Sequence, residues 1–282
     1  METTERIIVG YDGSPEAAPA VRWAAEQAAL RGLELHLVHC SLWPAITHNM
    51  APVPGVADSG LRHAAEAVVT EGAALALEAS PDLDLTTSLV YGWPAENLRR
   101  LSPGAAMIVV GSRGIGGFMG LLVGSVSLEL ASTADCPVAV VRPGTNPSGP
   151  VVVGIDTQGW GPALHQASTL AALFGTTLRI VHVHTGHGKQ HAPGDSSGVP
   201  DAREVLDSAV RSAAPGLLVE ERLLAGTSVA GTLLGEANDA RVIVVGTTGH
   251  GLIRGSIGST AHAVLHHASC PVLVVREAPP AA

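Results

Sequence analysis

Charge is scarce in this chain of 282 residues: Asp, Glu, Lys and Arg together make up 15%. Set beside 46% apolar residues and a mean hydropathy of +0.31, that scarcity excludes a disordered chain, which needs the opposite balance. Basic runs are missing as well. Sixteen Lys and Arg stand against 25 Asp and Glu, for a net charge of −9. No cluster could track a phosphate backbone, so no nucleic acid is expected as partner. Lys189 is the single lysine beside fifteen arginines, a balance that fits a GC-rich bacterial genome. It lies in a polar loop, so neither half has a P-loop Gly-x4-Gly-Lys-[Ser/Thr].

Cysteine is nearly absent. Cys40, Cys136 and Cys270 are an odd count without CxxC spacing, which excludes a disulfide framework or a zinc site and fits reduced thiols. Membrane-length apolar runs are lacking too. The longest uncharged stretch, Thr157 to Leu178, is broken by Gly159, Gly161, Pro162, His165, Gln166 and Gly175. The first residues carry Glu2 and Glu5 where a secretory signal has basic ones, and a strand-like run follows at once. The expectation is a cytoplasmic chain with no membrane partner, long enough for two domains at ~100–200 residues each.

What the sequence does have is a repeat. IIVGYD at 7–12 returns as VVVGID at 151–156, LVHC at 37–40 as IVHV at 180–183, and MIVVGSRG at 107–114 as VIVVGTTG at 242–249. The series closes with GSVSLELASTADCPVAVVR at 124–142 against GSTAHAVLHHASCPVLVVR at 258–276. Between the copies, PGTNPSGP at 143–150 reads as a linker, which gives domains at 1–144 and 150–278.

Short apolar runs such as Ile7 to Val9, Met107 to Val110 and Val138 to Val141 lack in-out alternation, as strands buried on both faces do. Segments between them have helical spacing: Ala17, Ala20, Val21, Ala24 and Ala28 share one face, which Arg22, Glu26 and Arg31 are expected to avoid. Alternating strands and helices with right-handed crossovers predict, in each copy, a doubly wound α/β domain of about five parallel strands with helices on both faces.

In such a sheet, ligands bind beyond the carboxyl ends of the strands, where strand order reverses. Three features of the first half fall there: Gly10-Tyr11-Asp12-Gly13-Ser14, His39-Cys40, and Gly111-Ser112-Arg113-Gly114 opening a glycine-rich segment to Gly124-Ser125. Glycine lets the backbone approach a phosphate, and a helix beginning at Ser125 would offer free N–H groups and a positive dipole end. A phosphate-bearing ligand is the natural occupant.

With these residues in place, the chain resembles a tandem universal stress protein over almost its whole length. Gly111, two residues, Gly114, nine residues, then Gly124-Ser125 match the motif of the ATP-binding members without a gap. The resemblance implies a strand order of 3-2-1-4-5 in each half. It implies Asp12, following Gly10, near the ribose and base, and an adenine contact from the backbone of Cys40. It places phosphates on Gly111, Gly114, Gly124, Ser125 and Val126 after Val110, with magnesium helping to neutralise their charge. In the second half Gly154, Asp156, Val183, Val245, Gly246, Gly249, Gly258, Ser259 and Thr260 stand in the corresponding places. There, only eight residues separate Gly249 from Gly258. One missing residue can displace an amide by up to ~3.3–3.6 Å, more than the ~2.9 Å length of a hydrogen bond, so any asymmetry should favour the first half.

Other motifs carry less. His184-Thr185-Gly186-His187 spells an adenylyl-transferase HxGH but follows the second strand, not the first, in a polar loop. His262 and His266, at i and i+4, have the spacing of metal ligands, yet Leu128 and Ser132 stand there in the first half, and solvent-facing histidines are the expectation. Cys136 and Cys270 precede the last strands as small buried groups. Ser14 is expected to cap a helix that opens with Pro15, and no G-x-S-x-G elbow accompanies it. The expected function is nucleotide-dependent regulation in stress or growth arrest, with no evident catalytic centre. A slow ATPase or adenylate-using enzyme, and a nucleotide-free scaffold, are the alternatives. The halves are expected to form a pseudo-dimer, and the family's habit of pairing through strand five makes Val138 to Val141 and Val272 to Val275 the candidate edges, also for a homodimer.

Overall fold

The computed structural model describes residues 5–42, 57–114, 123–144, 146–157, 160–185, 201–247 and 256–276. The chain divides into two compact units, Met1–Pro143 and Gly144–Ala282.

In the first unit, strands β1 (Arg6–Gly10), β2 (Glu34–Ser41), β3 (Leu85–Tyr91), β4 (Met107–Gly111) and β5 (Val138–Val141) alternate with helices α1 (Ala18–Arg31), α2 (Ala57–Ala79), α3 (Pro94–Leu101) and α4 (Ser125–Thr133). The strands are parallel, in the order β3-β2-β1-β4-β5. Order reverses between β1 and β4, so a crevice opens at their carboxyl ends. The second unit repeats the plan with β6 (Val151–Ile155), β7 (Leu178–His184), β8 (Val219–Ala225), β9 (Val242–Gly246) and β10 (Val272–Val275). Its helices are α5 (Gly161–Phe174), α6 (Ala202–Ser212), α7 (Val229–Glu236) and α8 (Ser259–His267), and its strands run in the order β10-β9-β6-β7-β8.

The central strands are apolar throughout because both faces are covered: Met107, Ile108 and Val109 are fully buried, as are Val242, Ile243 and Val244. The outer strands β3 and β8 carry Thr86, Thr87, Glu220 and Glu221 instead. Helix α1 buries Ala20, Val21, Ala24 and Ala28 as its spacing predicts. It ends at Gly32, whose φ of 63° is left-handed; the N–H of Leu33 reaches back to the Ala28 carbonyl at 3.0 Å, and Gly175 ends α5 in the same way.

Two expectations need correction. Arg31 does not avoid the buried face: it lies eleven residues after Ala20, three helical turns on, and its Nε and one terminal nitrogen are buried. Burial lowers the guanidinium's proton affinity, against an opposing pull from Glu5. Ser14 does not cap α1, which begins at Ala18 with Ala17 at the cap position and no side-chain cap. The Ser14 hydroxyl donates to Asp12 Oδ1 at 2.6 Å instead, and residues 15–17 form a turn. Among the described residues, no helix is long and apolar enough to cross a membrane.

Candidate functional site

The backbone of the first unit stays in register past the end of β1: the Tyr11 N–H donates to the Val38 carbonyl at 3.0 Å. His39 Nδ1 lies 2.8 Å from the Tyr11 carbonyl oxygen, and this buried contact pins the turn that presents Asp12. Asp12 is half-buried, and its Oδ1 accepts from both the Ser14 N–H, at 3.0 Å, and the Ser14 hydroxyl. Gly13 follows at φ 82°, with α2 directly above it; a Cβ there would stand 3.2 Å from Val68 Cγ2. Tyr11 is held from the same helix, its hydroxyl donating to Glu71 at 2.8 Å. Burial first, and this carboxylate second, push the phenol up to about 12.

The glycines of the motif do different jobs. A Cβ on Gly111 would lie 2.9 Å from the Glu16 carbonyl and 3.0 Å from Ala17 Cα, so this glycine lets the end of β4 pass against the start of α1. A Cβ on Gly114 would lie 2.3 Å from Asp12 Oδ2, so its bare Cα rests against the carboxylate. Gly124 returns the loop to the end of β4, donating to the Ser112 carbonyl at 2.7 Å, while Ser112 donates to the Val141 carbonyl at 3.0 Å. Below it, the buried Ser127 hydroxyl donates to the Gly111 carbonyl at 2.8 Å. Helix α4 therefore starts at a fixed place beyond the sheet. Gly124 occupies its cap position and supplies no capping side chain, so the amides of Ser125 and Val126 lie at an uncapped helix start.

Val110 is a core residue, 4% exposed, and can offer a ligand only its backbone. Gly10 serves packing: a Cβ there would stand 2.9 Å from Leu98 Cδ1, on α3. Cys40 is half-buried at the end of β2; burial pushes its thiol up to about 11, against an opposing hydrogen bond with Asn97. Beside the start of α4 is a cleft of about 240 Å³ lined by Trp93, Pro94, Ala95, Glu96, Ser125, Val126 and Glu129. Trp93 is 64% exposed there.

The second unit repeats some of these contacts, although a Cβ on Gly246, unlike one on Gly111, would meet nothing within 4 Å. Gly258 donates to the Thr247 carbonyl at 3.0 Å, Thr247 donates to the Val275 carbonyl at 2.9 Å, and α8 starts with no capping side chain. His182 Nδ1 lies 3.1 Å from the Ile155 carbonyl oxygen, as His39 does to Tyr11. The Cβ missing from Gly154 would stand 2.7 Å from Leu233 Cδ2, as that of Gly10 does to Leu98. Asp156 and Thr260 are half-buried, Ser259 is exposed, and Val245 is buried in β9. Val183 stands at the end of β7 against the Gly226 turn, and Gly246 at the end of β9. Gly249 lies outside the described residues, as do Gly186 and His187; His184 and Thr185 are exposed. The recurrence of His at the third residue of LVHC and the third of IVHV was the signal that could have found the two pinning histidines.

The first crevice thus combines a carboxylate that can accept from hydroxyls, close-approach glycines and an uncapped helix start that favours an anion, and the second combines Asp156 with the uncapped start of α8. The family model for the universal stress protein family matches residues 3–142 and 148–276. The chain is similar to the universal stress protein Rv2005c of Mycobacterium tuberculosis, 33% identical over 293 residues that cover 96% of this chain and 97% of the relative. A second relative from the same organism, Rv1996, is 32% identical over 306 residues, covering 98% and 96%. The crystal structure of a universal stress protein from Archaeoglobus fulgidus shares the fold with a TM-score of 0.70 at 20% identity, covering 98% of this chain and all of that one.

Proposed function

The chain belongs to the universal stress protein family, and from that premise we propose that it is an ATP-binding regulator whose first crevice holds the nucleotide most tightly. The observation that carries this reading is the placement of Gly114 against Asp12 beside the uncapped start of α4. Asp12 accepts from the ribose hydroxyls, and the backbone at Cys40 meets the adenine. The amides of Gly111, Gly114, Gly124, Ser125 and Val126 receive the phosphates. Magnesium travels with the phosphates and offsets their charge. In the second unit Asp156, Val183, Gly246, Gly249, Gly258, Ser259 and Thr260 form the weaker counterpart.

The residues fit such a ligand in one further respect. The missing Cβ atoms of Gly111 and Gly114 let the end of β4 pack against the start of α1 and against Asp12, which brings the glycine-rich backbone and the carboxylate to the same crevice. The nucleotide is held rather than turned over, and its occupancy sets the state of the chain that a cytoplasmic partner reads.

The test is acid release and chromatographic identification of nucleotide from the purified chain, with its molar ratio, repeated on Gly114→Asp. The expected result is ATP in the wild type and its loss in the variant. Absence of nucleotide even after ATP is added back overturns the reading, and turnover above about 1 per second would make the protein an enzyme.

A further inference from the structure

Helix α8 differs from its counterpart α4 in one respect that packing does not require. His262 and His266 lie one turn apart with ring centroids 4.5 Å from each other and planes inclined by 38°; the His267 ring follows at 6.3 Å from that of His266. His262 is exposed and His266 half-buried, while Ala261, Val264 and Leu265 carry the buried face of the helix. The positions equivalent to the two histidines in α4 hold Leu128 and Ser132, so the same fold forms without imidazoles. We propose that His262 and His266 form a bidentate surface site for a divalent transition-metal ion of the zinc, nickel and copper class.

Residues four apart on a helix project from the same side, and here the two rings already face each other. An imidazole ring can offer a nitrogen lone pair to a metal ion. With bonds of about 2.0–2.1 Å to one nitrogen of each ring, a single ion is held once the two side chains turn their in-plane lone pairs toward it. The ligand type selects the ion: imidazole suits zinc, nickel and copper, whereas magnesium and calcium take oxygen ligands. Among the described residues no group of three or more His, Cys, Asp or Glu converges on one point, so water fills the remaining positions and the site is open and exchangeable. Metal binding at these rings does not require nucleotide.

The test is calorimetric titration of the full chain with Ni(II), without nucleotide, in the wild type and in His262→Leu and His266→Ser. Both substitutions install the residue that α4 already uses, and circular dichroism without metal checks that the fold is kept. The wild type should take up one equivalent that each variant loses or binds at least about tenfold more weakly, since even an outer-shell partner matters that much. Unchanged uptake in both variants overturns the site. Loss in one variant alone overturns the bidentate assignment.

Discussion

The Cα of Gly114 rests against the carboxylate of Asp12, so closely that a Cβ on the glycine would stand 2.3 Å from Oδ2. The two residues lie 102 positions apart and meet because β1 and β4 are neighbours in the sheet. This contact joins the carboxylate end of the crevice to its glycine-rich end.

Gly114→Ala should therefore move the carboxylate without harming the fold. Gly114 is absent from the glycines of positive φ, so its backbone accepts alanine, and the obstructing atom is the end of a short side chain. Retention of adenine nucleotide should fall at least about tenfold, equivalent to about 1.4 kcal/mol. The thermal midpoint should shift by less than about 2 °C, as for a surface change within about 0.5 kcal/mol. Equal retention by both proteins, measured on desalted samples, would refute the link.

Gly10→Ala should do the reverse. Its Cβ would intrude on Leu98 Cδ1 at 2.9 Å, and overpacking of this kind costs about 1–3 kcal/mol. Denaturant unfolding of Gly10→Ala, Leu98→Val and the double variant should give a coupling above about 0.5 kcal/mol, with the smaller valine relieving part of the clash. Strict additivity would count against the contact.

Arg179 offers a test by pH. Its guanidinium, 12% exposed, donates to Glu220 at 2.7 Å, to both Asp239 oxygens at 2.7 and 3.2 Å, and to the Glu236 carbonyl at 2.7 Å. The hydrogen bond from Arg179 holds the Asp239 carboxyl below its ordinary value, so the folded state binds its proton less readily than the unfolded chain. The resulting stability is complete above the unfolded value of about 3.9 and is lost as pH falls through the folded one. Asp239 is 57% exposed, so solvent screening keeps the effect small. Arg179→Met should cost about 1–3 kcal/mol at neutral pH and flatten the stability profile below about pH 4. An unchanged acid limb would show that Asp239 does not feel the arginine.

Cys40 should resist alkylation. With its thiol pushed up to about 11, roughly one molecule in a thousand carries a thiolate at pH 8. An unfolded cysteine near 8.5 has about one in four. Cys136 is pushed up further, to about 12, by burial. Iodoacetamide labelling followed by peptide mapping should find Cys40 at least about a hundredfold slower in the native chain than in urea. Rapid native labelling would contradict the burial.

Much of this architecture is written in local patterns. The apolar runs at Ile7, Met107 and Val242 need no partner to identify them as central strands, and the spacing of Ala20, Ala24 and Ala28 marks the inner face of α1. The glycine spacing after β4 points to the crevice because helix start and strand end are both local. What stays hidden depends on contacts between distant residues. Ser14 reads as a cap until Asp12 takes its hydroxyl. Gly10 and Gly154 look like part of a ligand loop until Leu98 and Leu233 occupy the space their side chains would fill. Arg31 follows the helical period inward, although its charge alone places it outside.

The polar character of β8 also bears on how the chain survives its own synthesis. Strand edges offer unpaired backbone groups to any other strand nearby, and a flat apolar edge recruits other molecules into insoluble material. Glu220, Glu221 and Arg222 occupy consecutive positions in the middle of β8, and Arg222 is tied back to Glu220 and Glu236. An incoming strand would have to strip water from these charges before pairing, so β8 acts as a gatekeeper against aggregation in a protein whose central strands, such as β4 and β9, are mostly valine and isoleucine.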